Sequence, residues 1–572
     1  MIKGMKPFDH EKFIGYVSEV SPQTVIMQFP VAPLLHPFYY DGNVYLSGSV
    51  GSFVVIEGTE RGFLGRLIEV SLPQGERKEI TDQNTHMETD EFHPMGRIEL
   101  LAVFNVYAPE KIEKTISRYP GIGSKVYACS DEQIRKYVAR FGSKKSEGLT
   151  PYAEIGKLTS NDAICEVSIN SLFGRHCAVV GTTGGGKSWT VATLLEMIEG
   201  TTKNKCILVD ATGEYSGLNH VQNVVIGTGD NYFDYSKLTI DELTFLLRPS
   251  SRVQLPKLME AIRSLKMLKM DVDAKLSGYI DVTDRHKTLK KENRPKKAFR
   301  EFYYLNSDKI ESQSCDFDMS KLAFQLSNEC IWETSKNQID HWGDKNESDL
   351  SNCVSLISRV RNIMCTDVYN KIFAFKGKTA GSNDITDIID NYISGDDNGI
   401  LRLDFSKVGF DYQVREILVN AIGKYLLTKA REGVFKESPL VVFVDEAHQF
   451  LNKNIRDEYF DAKPLDAFEQ ISKEARKYGL FICIATQMPR DIPLGTLSQM
   501  GTFIVHRLIN EQDKKAVESA ASAANRNILS FLPILGEGEA VIVGVDYPMP
   551  LTVKIKEPTR KPDSNTPKFS CK

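Results

Sequence analysis

The chain has 572 residues, 41% of them apolar and 26% charged, with a formal net charge of -4; it is long enough for roughly two to four domains with real cores, and it lacks a global basic signature of nucleic-acid binding. No apolar stretch reaches the roughly 18 residues of a membrane span and no N-terminal signal pattern is present, so neither a span nor secretion is indicated. The 10 cysteines are scattered, without a Cys-x-x-Cys pair or a Cys/His cluster, which suits a reducing cytoplasm and argues against a structural metal.

Short β-like segments at 14–20, 24–29, 43–46, 52–56, 62–70 and 97–106 fill the first region, broken by turn residues such as Ser21-Pro22. Such spacing predicts a small barrel or a sandwich over 1–150. Residues 152–169 read as a connecting hairpin, and an α/β core begins near Arg175. There, 176–180 is an apolar run fit for a buried strand and 189–195 continues as a helix. Between them stand Gly181, Thr182, Thr183, Gly184, Gly185, Gly186, Lys187 and Ser188, a full match to the phosphate-loop pattern G-x-x-x-x-G-K-[ST]. At a strand-to-helix turn, backbone N–H groups and the positive helix end hold phosphate oxygens. Lys187 is expected to reach the β/γ-phosphates, Ser188 to hold Mg²⁺, and Thr190 to join the nucleotide-binding set.

A second core strand at 206–210 is separated from the next strong motif by more than 200 residues, so an insertion is implied. Leu243, Leu246, Leu247, Leu255, Leu258, Ile262 and Leu265 give 241–270 helical spacing, and 355–375 also reads as helix. The insertion over 236–395 is therefore expected to be mainly α-helical, splitting the core into parts at 151–235 and 396–556. Within it, 285–300 carries nine basic residues in sixteen positions, either a solvated face or mobile loop, or a contact for DNA or a partner. Residues 400–405 return to strand character.

Leu440 to Val444 is a continuous apolar run ending in Asp445 and Glu446, the pattern of a buried parallel strand whose carboxyl end opens on a ligand crevice. As a Walker B strand it would place Asp445 on the Mg²⁺ through water and Glu446 as the proton acceptor for the attacking water. A further strand at 480–486 ends in Gln487, fit to sense the γ-phosphate or orient the water. Asp210 and Glu214 follow the second strand and either tune the nucleotide site or satisfy helix-end amides. The tail, 557–572, is rich in Pro, Lys and Ser and is expected to lack order of its own.

The residues Arg175-His176-x-x-Val179-Val180 leading into the loop, Asp210-x-x-Gly213-Glu214-Tyr215-Ser216 and Val444-Asp445-Glu446-Ala447-His448 together resemble the HerA family of hexameric DNA-translocating ATPases, related to FtsK. Glu474-Ala475-Arg476-Lys477-Tyr478-Gly479, Ala485-Thr486-Gln487-x-Pro489, the 498–507 stretch and Gly536-Glu537-Gly538-Glu539-Ala540 extend the resemblance over most of the chain. Cys483, Met488 and the basic 285–300 segment depart from it. The resemblance implies an N-terminal β-barrel, a RecA-like P-loop NTPase core with an α-helical insertion, and a homohexamer with ATP and Mg²⁺ at subunit interfaces and double-stranded DNA through the pore. A trans-acting arginine is then expected on the γ-phosphate, with Arg476 and Arg175 as candidates and Arg507 third. Within one chain Arg175 has the alternative of capping the start of its strand, Arg476 that of pairing with Glu474 or Glu469, and Arg507 that of a surface ion pair. Relatives work beside a NurA-type nuclease in end resection, or beside a sirtuin-like or nuclease effector in antiphage defence. An ATP-gated scaffold ring and a secretion or conjugation ATPase are the competing readings.

Overall fold

The computed structural model describes residues 7–73, 92–113, 118–129, 133–134, 151–159, 162–396, 399–409, 413–451, 465–521, 531–547 and 550–563. Two compact units emerge, one of residues 1–204, 481–490 and 497–562, the other of 205–480, 491–496 and 563–572.

The first unit begins with a closed antiparallel barrel. Its circuit runs Thr24–Gln28, Phe13–Val20, Lys125–Ala128, Phe53–Ile56, Arg61–Ser71, Met95–Asn105 and back to Thr24–Gln28. Closure leaves these six strands without a free edge. Ile14, Val17, Val25, Met27, Val54, Ile56, Leu67 and Ile98 fill the interior. Bulges at Val17/Glu19, Leu64/Gly65 and Leu67/Glu69 bend the strands as closure requires. The choice between barrel and sandwich thus falls to the barrel, and strands Lys125–Ala128 and Ala108–Glu113 are additions to the sequence reading.

The same unit carries seven further strands, ordered Ile164–Ser168, Tyr152–Leu158, Leu551–Ile555, Glu539–Gly544, Thr502–Val505, Cys177–Val180 and Leu480–Thr486. The expected hairpin at 152–169 is two of these. Only the last three are mutually parallel. Every residue of Cys177–Val180 is buried, as an apolar run covered on both faces demands. The helix Lys187–Thr201 follows it. Residues 557–563 do not run free: the backbone N–H groups of Thr559 and Arg560 donate to Glu196 on that helix at 3.0 and 3.2 Å. The rest of the tail lies outside the described residues.

In the second unit the parallel strands are ordered Leu440–Val444, Lys205–Asp210, Ile400–Asp404 and Val221–Val225. Its insertion is largely helical but differs from the predicted pattern in three places. The 241–270 segment is two helices, Ile240–Leu247 and Gln254–Met270, because Arg248 ends the first in a left-handed conformation. The 355–375 segment is Glu347–Cys365 and Asp367–Phe373, broken at Thr366. A β-hairpin, Ile280–Thr283 with His286–Leu289, opens the basic segment.

That segment is neither a mobile loop nor a uniformly solvated face. Lys291 is buried with its Nζ 2.6 Å from the fully buried Glu329 and 4.7 Å from the Phe299 ring centre. Lys296 is buried too, and Arg294 donates to the Gly278 carbonyl. Arg285, Lys287, Lys297 and Arg300 remain exposed.

Candidate functional site

The phosphate loop leaves the carboxyl end of Cys177–Val180, flanked by the two parallel strands. Gly181 donates to Thr486 O at 3.3 Å, and Thr182 donates to Arg507 O through its N–H at 2.9 Å and its hydroxyl at 3.1 Å. Gly185 N–H and Lys187 Nζ both turn inward to the Thr182 carbonyl, each at 3.1 Å. Gly184 and Gly186 have φ of +72° and +102°, values at which a side chain is strained. Gly186 caps a 15-residue helix without any side-chain cap, so the helix end presents amides to an anion. The Thr183 hydroxyl donates to Gln487 Oε1, bringing the predicted sensor amide to the loop. Cys483 packs in the buried strand beside it.

In the second unit, Asp445 is nearly inaccessible at the end of its strand. Burial, reinforced by Glu446, Glu214 and Asp210, pushes its carboxyl up to about 8. Three further acids thus act on this one buried carboxylate, and a cation brought beside it would reverse that rise; among the described residues, no group of three or more His, Cys, Asp or Glu side chains is arranged to hold a metal ion. Glu446 follows in a left-handed conformation with φ +46°, and its Oε2 lies 3.3 Å from His448 Nδ1. A non-glycine residue held there carries strain of about 1–3 kcal/mol, a pattern that clusters at functional sites.

Asp210 has a structural task. It accepts from the N–H groups of Thr212, Gly213 and Tyr215 at 3.2, 2.8 and 3.2 Å and from Arg402 Nε at 2.7 Å. Arg402 also holds Asn223 and Asp404 at 2.9 and 3.1 Å. The strand Ile400–Asp404 reads as an ordinary apolar strand, and nothing local marks its central arginine as the fastener of the 210–215 turn.

The three arginines differ in their surroundings. Arg175 precedes the strand, at the end opposite the loop, and its Nε lies 3.2 Å from Asp546. Arg476 is exposed on the short turn Ala475–Tyr478. The carboxylates weighed as its partners are engaged elsewhere, Glu474 by Arg431 and Glu469 by Lys473. Arg507 fastens the loop through its carbonyl, while its buried Nε makes no hydrogen bond among the described residues. The sequence does not single out His506, beside it. It lies beneath the loop, and no pattern of neighbouring residues announces it.

Residues 153–426 match the family profile described as Helicase HerA, central domain, and residues 429–565 match Helicase HerA-like C-terminal. The DNA double-strand break repair helicase HerA of Sulfurisphaera tokodaii is 26% identical over 406 residues, covering 70% of this chain and 68% of that protein. The protein of the same description from Saccharolobus solfataricus is 22% identical over 525 residues, covering 88% and 87% respectively. Among solved structures, the bacterial conjugative coupling protein TrwBdeltaN70 superposes with a TM-score of 0.42 at 13% identity, covering 75% of this chain and 92% of that one. Among the described residues, no helix is long and apolar enough to cross a membrane.

Proposed function

The chain belongs to the HerA helicase family, matched in both its central and its C-terminal domain, and from that membership we propose that it is a hexameric DNA translocase serving a separate nuclease or effector subunit. It is an ATPase motor of the HerA/FtsK superfamily. The finer reading is that the ring encloses duplex DNA and feeds it to a NurA-type nuclease in end processing, or to a sirtuin-like or nuclease effector in antiphage defence. The observation that carries the ATP chemistry is the loop itself: two glycines at positive φ and an uncapped helix end opening at Lys187.

In this reading the loop amides from Gly181 to Ser188 cradle the phosphates, and Lys187 leaves the Thr182 carbonyl to meet the β/γ-oxygens. Thr190 sets the first helical turn. Ser188 and Asp445 are the residues that would hold Mg²⁺, which would supply charge neutralisation on the transferring phosphoryl group. Glu446 accepts the proton of the attacking water and Gln487 orients that water. Arg476, exposed and without an ion-pair partner among the described residues, is the leading candidate to reach a neighbouring subunit's γ-phosphate. Arg175, already paired with Asp546, and Arg507 rank behind it.

The test is a pair of variants. Lys187→Ala should lose nucleotide binding or turnover, while Glu446→Gln should keep ATP binding and lose turnover by several orders of magnitude, since ground-state contacts survive and water activation does not. Near-normal hydrolysis by Glu446→Gln removes Glu446 from the role of base. The ATP-gated scaffold is the second reading, favoured by a net charge of -4 that gives DNA no long-range attraction. It requires ATP turnover that is indifferent to DNA.

A further inference from the structure

The imidazole of His506 is wholly buried beneath the phosphate loop, and three elements meet on it. Its backbone N–H donates to Val180 O at 2.8 Å, at the end of the strand that feeds the loop. Ring atom Nδ1 stands 2.9 Å from the carbonyl oxygen of Glu539, and Nε2 stands 2.8 Å from Oγ1 of Thr190 in the first turn of the loop helix. The loop backbone rests on the same ring. A Cβ added at Gly181 would come within 2.5 Å of His506 Cβ, and one added at Gly186 within 3.4 Å of Cε1 and 3.1 Å of Gly538 Cα.

The protons can be placed by chemistry alone. A carbonyl oxygen only accepts, so Nδ1 carries the ring hydrogen. In the neutral ring Nε2 is then a lone pair, and the Thr190 hydroxyl donates to it. That hydroxyl has one proton, and its other acceptor, Gly186 O, is farther away at 3.2 Å. Burial, reinforced by the Lys187 ammonium, keeps the ring neutral, with its pKa lowered to about 4 despite the carbonyls of Glu539 and Gly185.

We propose that His506 is a positioning residue for phosphate binding. By accepting from Thr190 at Nε2 while its Nδ1–H is pinned to Glu539, it fixes the first helical turn and the last glycines of the loop in the geometry that receives a nucleoside triphosphate. His506 itself touches no phosphate. The inference rests on the reading of 181–188 as the nucleotide grip.

The test uses the full-length protein, with calorimetric binding of a non-hydrolysable ATP analogue plus Mg²⁺ and steady-state hydrolysis of ATP. His506→Asn retains a donor toward Glu539 but removes the acceptor from Thr190. It should weaken binding about tenfold while kcat stays within about twofold, the signature of a lost uniform-binding contact. Thr190→Val should weaken binding equally, Thr190→Ser should restore it, and the double variant should be no weaker than either single one. Binding that is unchanged in His506→Asn, or losses that multiply in the double variant, overturns the proposal. If His506→Asn does not fold, the comparison of Thr190→Val with Thr190→Ser decides: equal binding by the two contradicts the hydroxyl's role. Failure of the wild type itself to bind the analogue condemns the nucleotide reading instead. Wild-type binding shared undiminished by His506→Asn condemns only the inference about His506.

Discussion

Replacing Lys291 by alanine should unfold the insertion far more readily than replacing any exposed lysine or arginine of the same basic segment. Lys291 has only 10% of its side chain exposed and its partner Glu329 none. Removing the ammonium leaves Glu329 with its hydrogen bonds from Ser264 at 2.5 Å and Gln325 at 2.7 Å, but strips its buried charge of the direct ion-pair partner and leaves only the weaker attraction of Lys257. Breaking one side of such a pair costs about 3–5 kcal/mol. Burial and Glu329 already push the neighbouring Glu260 carboxyl up, and Lys291 opposes this, so the loss adds to an acidic strain. Lys291 also lies 5.7 Å from the Trp342 ring centre, which makes tryptophan fluorescence a local probe once Trp189 and Trp332 are replaced by phenylalanine in every variant compared. In urea, at slopes of about 2 kcal/mol per M, the midpoint reported by Trp342 should fall by about 2 M. Arg285→Ala and Lys287→Ala, at exposed positions, should shift it by less than about 0.3 M. A Lys291→Met/Glu329→Gln double variant should recover much of the loss, because no bare charge remains. Equal midpoints for Lys291→Ala and Arg285→Ala would refute the reasoning and return the whole segment to the solvated face.

Other expectations concern the ring and the loop. If Arg476 acts in trans, an Arg476→Ala protein mixed with Glu446→Gln protein should regain ATPase activity at interfaces joining two intact halves, and equal inactivity of mixture and parents refutes that role. His506, held at about 4 against an ordinary 6.5, takes up a proton on unfolding that it lacks when folded. It therefore contributes stability above about pH 6.5 that is lost as pH falls toward 4, up to about 3 kcal/mol. Thermal unfolding of His506→Gln across that window should show a shallower acid slope than wild type; parallel slopes contradict the buried neutral ring. Gly186→Ala, forced into φ +102° with its Cβ 3.1 Å from Gly538 Cα, should fold with a lower melting temperature and bind ATP poorly. Wild-type affinity would show that the loop tolerates a side chain there.

What the sequence made legible was local chemistry. The phosphate loop, the Asp445-Glu446 strand end and Gln487 each need a fixed residue order within one turn, so their positions could be read directly. The helix break at Arg248 was legible too, because Pro249 directly after it disfavours helical backbone at the preceding residue; the break at Thr366 was not, since neither glycine nor proline marks it. Lys291 is buried because Glu329, thirty-eight residues away, waits for it. Arg402 meets Asp210 across 192 residues and His506 meets Thr190 across 316, distances over which no periodicity or spacing carries information.

The most direct test of the account is the ATPase rate of the assembled ring with and without duplex DNA, across a salt series, alone and with its co-purifying partner. A chain of net charge -4 must bind DNA through a few Lys/Arg side chains and amides repeated by the ring's symmetry. DNA should therefore raise the rate at low salt, the stimulation should fall steeply as salt rises, and sequence should matter little. An ATPase rate that DNA never alters, in an assembly that does not bind duplex even at low salt, contradicts the translocase and leaves the scaffold in its place.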